Sequence, residues 1–125
     1  MLPSDSFEEA TRLSGLLDAG ISQLRAASRA TAAAERDYRK AKAVAWIECP
    51  RDEAGSKDWT AARREAWVDA ETADLRYVRD LAEGDRHAAT EAVRARRTQV
   101  SMLQSLMNAH RAEAEFARTG PRETP

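Results

Sequence analysis

The residues best suited to chemistry in this 125-residue chain are arginines. Arg76, Arg79, Arg86, Arg94 and Arg97 recur so that, at about 100° per residue, they fall within about 80° of one another on a helix. Such a stripe, about 30 Å long at the rise of a helix, is a candidate nucleic-acid contact, because successive guanidinium groups can neutralise successive phosphates. Glu83 interrupts it and can pair with Arg79 and Arg86 at helical spacing, which suits a solvated, self-neutralised face equally well. Other chemistry is poorly supplied. His87 and His110 stand far apart with no clustered thiol or carboxylate, which argues against a metal site. Cys49 is the single cysteine, so it forms no intrachain disulfide, and no adjacent histidine can activate it as a nucleophile. The carboxylates are spread along helical sequence with no pocket to raise a pKa. The expectation is a protein that is not an enzyme, uses no cofactor and takes no small-molecule substrate.

The elements that must carry these residues are long. From Trp59 to Arg118 there is no proline and one interior glycine, Gly84, which predicts a helix of about sixty residues, the length of that uninterrupted run. An earlier helix is expected over about 6–48, with Ser6 as N-cap and Glu9 completing a capping box. Pro50 stops it, because proline disfavours helix at the preceding residue. The loop is 49–57, Ser56 or Asp58 caps a second helix over 58–118, and 119–125 form a disordered tail. All of 1–125 reads as one domain. The fold class is all-α, an antiparallel, coiled-coil-like helical hairpin.

Heptad spacing sets the expected packing. On helix one the seam is Ala10, Leu13, Leu17, Gly20, Leu24, Ala27, Thr31, Ala34, Tyr38, Ala41 and Ala45. On helix two the row is Ala66, Ala70, Ala73, Tyr77, Leu81, Gly84, Ala88, Ala92, Ala95, Met102 and Leu106. Folding the chain at the loop pairs Tyr38 with Ala70, Thr31 with Tyr77, Leu24 with Gly84 and Leu13 with Ala95, large against small. Gly84 then makes room for Leu24, although a cap at Gly84 and Asp85 that splits the helix is the alternative. The charge halves agree: helix one runs acidic to basic, and so does helix two, so an antiparallel pair places unlike halves together.

Two helices enclose little core, and the end of helix two overhangs. Leu103, Leu106, Met107 and Phe116 therefore form the expected oligomerisation surface of a homodimer or higher oligomer, an oligomeric helical bundle. Trp46, Trp59 and Trp67 gather near the turn, either as a plug for the open end or as a partner-binding tip. The formal net charge of -1 favours no class of partner by itself. With no apolar leader and no membrane-length run, the chain is expected to be soluble and cytoplasmic. Gln99 to Leu103 is similar to the short peptide with which bacterial proteins bind the sliding clamp, but it lies in helical sequence.

The segments Tyr38 to Trp46, Arg64 to Trp67, Asp74 to Arg76, Arg79 to Glu83 and Gln99 to Arg118 resemble the small helical proteins of tailed bacteriophages. These are encoded among early genes beside single-strand annealing recombinases and single-strand DNA-binding proteins. The resemblance implies a phage origin, the cytoplasm of a bacterial host and a setting in DNA replication or recombination, and it assigns no catalytic residue. The secreted Trp-x-Gly hairpins of actinobacteria share the size but not the turn, since Trp46 is followed by Ile47 and Glu48. The reading is a non-enzymatic protein that binds itself and a phage or host protein. Direct nucleic-acid binding and a virion scaffolding role are the alternatives.

Overall fold

A computed structural model of the chain describes residues 3–50 and 59–119. The loop expected at 49–57, apart from Cys49 and Pro50, lies outside these residues, as do the caps offered by Ser56 and Asp58 and the tail from 120. Among the described residues there are three α-helices and no strand: α1, Pro3–Glu48; α2, Ala61–Glu71; and α3, Ala73–Thr119. No helix among them is long and apolar enough to cross a membrane.

Helix α1 begins at Pro3, a position where the missing N–H costs no intrahelical bond. Ser6 is therefore inside the helix and not its N-cap, and Glu9 instead pairs with Arg12 one turn on. That bond holds the Glu9 carboxyl below its ordinary range. The helix ends at Glu48, ahead of buried Cys49 and Pro50. Helix α2 is capped by Thr60, whose backbone is extended and whose hydroxyl accepts from the Arg63 N–H at 3.1 Å.

The expected sixty-residue helix divides, and it does so at Thr72 and not at Gly84. Thr72 is 2% exposed. Its hydroxyl donates to the Val68 carbonyl at 2.7 Å and its own N–H donates to the same oxygen at 3.0 Å. Such back-bonding loads one acceptor twice and bends helices, and here the backbone leaves the helical region, at φ -107 and ψ 7. Arg76 reaches back to the Asp69 carbonyl at 3.5 Å, covering a last-turn acceptor of α2.

Gly84 lies within α3, with nothing inside 4 Å of where a Cβ would stand. It makes no room for Leu24, so the glycine carries only its entropic penalty. Gly84→Ala is expected to stabilise the fold by about 0.5–1 kcal/mol, read as a higher midpoint in denaturant unfolding followed by circular dichroism. Close approach occurs at Gly20, whose Cβ position is 3.4 Å from Val93 Cγ2.

Helices α1 and α3 pack against each other, and the chain groups into two compact units, Met1–Gln23 with Ala89–Pro125, and Leu24–Ala88. In the first unit Gly20 faces Val93, Ser6 shares a small groove with Met107 and His110, and Leu13, Val93 and Leu103 are buried. In the second, the Thr31 hydroxyl donates to the Ala82 carbonyl at 3.1 Å, and Ala34, Tyr38, Ala45, Val68 and Thr72 are buried. Within each unit the helices run antiparallel.

The seam read on α1 is the packing face: all eleven of its residues are buried or half-buried. The row read on the second helix is not, since every one of its members from Ala66 to Leu106 is exposed. The face used against α1 is another heptad row, Thr72, Arg79, Arg86, Val93, Val100 and Met107, with Ala82, Ala89, Arg96 and Leu103 beside it. The register moves accordingly: Thr31 meets Ala82 and not Tyr77, five residues further along α3. The sequence row consists largely of alanine, which loses little by exposure. The true row carries arginines whose apolar stems pack while their heads stay wet.

Candidate interaction face

The arginines divide by environment. Arg79 sits half-buried in the second unit, its guanidinium 4.4 Å from the centre of the Tyr38 ring and 3.7 Å from the Glu35 carboxylate on α1. It also bonds Asp80 at 3.0 Å, and that bond, with smaller help from Glu35 and Tyr38, raises its pKa above the ordinary arginine value. The ion pair with Glu35 inverts the expected charge pattern, because the arginine comes from the acidic half of α3 and the glutamate from the basic half of α1. Arg86 is held by Glu83, whose carboxyl lies below its ordinary range for that reason. His87 Nε2 stands 3.5 Å from the same carboxylate. Arg76 is half-buried at the Thr72 bend. The five therefore form no single outward stripe: Arg79 and Arg86 lie in the packing row, while Arg94 and Arg97 are exposed. Arg94 is paired with Glu91 at 2.9 Å.

The tryptophans form no sealed plug. Trp46 is exposed, and Trp59 and Trp67 are half-buried. Arg63 lies 4.0 Å over the Trp59 ring. Trp46 borders a groove of about 300 Å³, most of whose other walls are charged, namely Lys42, Glu65 and Asp69. Ile47 and Val44 beside it are also exposed.

In the first unit the four residues expected to drive oligomerisation separate in the same way. Leu103 is 6% exposed and Met107 half-buried, so both are used within the chain. Leu106, at 62%, and Phe116, at 69%, are left outside. Packing also reaches further than expected, because Ser6 shares its groove with Met107, His110 and Arg111. The segment without intrachain cover thus starts at about residue 112, from which point every described residue is exposed.

What remains is a second heptad row on α3, turned away from α1. Ala92, Ala95, Gln99, Met102, Leu106, Ala109, Glu113 and Phe116 alternate in steps of three and four, and all are exposed. Single exposed apolar residues are ordinary. A periodic row is not, because a helix with two apolar rows has two faces to cover. A further feature marks the same place. From Thr98 to His110 there is no Asp, Glu, Lys or Arg, thirteen residues in a chain that is 33% charged. Depletion of charge, with methionine present, is the compositional mark of an interface core. This belt was legible in the sequence, and counting charges along the helix would have found it where periodicity alone did not.

Compared with models of protein families, with curated proteins and with solved structures, the chain matches none.

Proposed function

We propose that the protein is a non-enzymatic helical interaction protein that acts by binding itself and a further protein of a phage or its host. The observation that carries this reading is the exposed apolar row of α3, Met102, Leu106 and Phe116 with its alanines, crossed by the uncharged belt. The setting in phage DNA replication or recombination rests on the resemblance of its sequence segments. Direct nucleic-acid binding has weaker support, since Arg79 and Arg86 are engaged with Glu35, Tyr38, Asp80 and Glu83. A tagged protein should capture one stoichiometric partner from infected cells, and Met102→Glu with Leu106→Glu should release it. Capture unchanged by that pair, or binding to DNA that falls steeply with salt and is lost in Arg94→Glu with Arg97→Glu, would replace this reading.

A further inference from the structure

We propose that the outer row of α3 is covered by the same row of a second copy, the two helices packing antiparallel about a two-fold axis at residue 104. The inference rests on the reading above and names one of its partners. A two-fold interface must be self-complementary, and this row has that property at one register. The uncharged belt, Thr98 to His110, is centred on Gln104 and so maps onto itself. No charge is then brought to the middle of the interface, where it would have to be desolvated.

Row residues meet row residues at the same register. Met102 lies against the partner's Leu106 on both sides of the axis, and Gln99 lies against the partner's Ala109. Further out, Phe116 lies over the partner's Ala92, so the largest side chain of the row meets one of the smallest. Charge enters only at the ends, and there it is complementary. Glu113 comes beside the partner's Arg94, and Glu91 beside the partner's Arg118. Arg94 and Glu91 are about two-thirds exposed, paired only within one turn of the helix, and can turn outward at little cost. A parallel arrangement would set Arg94 against Arg94 and Glu113 against Glu113. A slip of two heptads toward the N-terminus would bring Arg96 against Arg96, so the belt selects both the direction and the register.

Sedimentation equilibrium of the full chain should give twice the chain mass at micromolar concentration. Met102→Glu with Leu106→Glu should weaken the dimer by about a hundredfold or more, since two buried apolar side chains each become a desolvated charge, while the helical circular dichroism spectrum is retained. Independently, in a Cys49→Ser background, a mixture of Ala92→Cys and Phe116→Cys chains should oxidise to a cross-linked heterodimer, while Phe116→Cys alone should not link to itself. A monomeric wild-type chain would overturn both this dimer and the self-association in the functional reading. An oligomer that survives the double glutamate substitution, or that links Phe116→Cys to itself, would overturn this face and register and leave self-association standing.

Discussion

Tyr38→Ala is expected to destabilise the protein by about 3–5 kcal/mol, the range for removing a buried aromatic ring from a core. Tyr38 is 7% exposed on α1. Its ring lies under the Arg79 guanidinium at 4.4 Å, with the Lys42 ammonium 5.9 Å away. Aromatic side chains bury about 150–250 Å² each, so the transfer term alone approaches the upper part of that range at about 25 cal/mol per Å². Loss of the ring also removes the platform on which Arg79 lies, a contribution of about 0.5–1 kcal/mol for a partly exposed cation over a ring. Arg79→Ala should therefore cost much less, about 1 kcal/mol, because its ion pair with Glu35 remains in contact with water. Tyr38→Phe keeps the ring and should stay near the wild type. Urea unfolding of the three variants checks the order. An Arg79→Ala loss equal to that of Tyr38→Ala would mean that the arginine, and not the ring, is the centre of this cluster.

The Tyr38 cluster also explains why one helix could be read from the sequence and the other could not. On α1, leucine, alanine and tyrosine recur on one side only and charges fill the others, so periodicity has a single solution, and its eleven seam residues do face inward. On α3 two rows compete. The outer one is all small or apolar at the decisive positions, whereas the inner one contains Arg79, Arg86 and Arg96. A residue-type count scores those arginines as surface. In the fold their stems are half-buried, and Arg79 has an aromatic ring and a carboxylate to receive its head. The bend at Thr72 was hidden for a related reason: it comes from a threonine hydroxyl turned onto the Val68 carbonyl, whereas composition directs attention to glycine. The candidate face was legible in part. Leu106 and Phe116 were recognised as surplus apolar surface, but their continuation through Met102, Ala95 and Ala92 was assigned to the intrachain seam.

The misassignment has a measurable consequence in a pair of leucines three residues apart. Leu103→Ala is expected to cost about 2–4 kcal/mol, the range for a large-to-small substitution in a core, because Leu103 is 6% exposed and shares its unit with buried Leu13 and Val93. Leu106→Ala removes a side chain that is 62% exposed and should change the stability of the single chain by less than about 0.5 kcal/mol. The two losses also differ in kind. An intrachain core residue lowers the unfolding midpoint equally at every protein concentration. A residue at an interface between copies lowers it through mass action, so that its effect grows with concentration and fades on dilution. Denaturant unfolding of wild type, Leu103→Ala and Leu106→Ala across a range of protein concentrations separates the two terms. A concentration-independent loss for Leu103→Ala beside a concentration-dependent one for Leu106→Ala would place the two rows of α3 as the fold has them. Equal, concentration-dependent losses would return Leu103 to the oligomerisation surface that sequence periodicity first assigned to it.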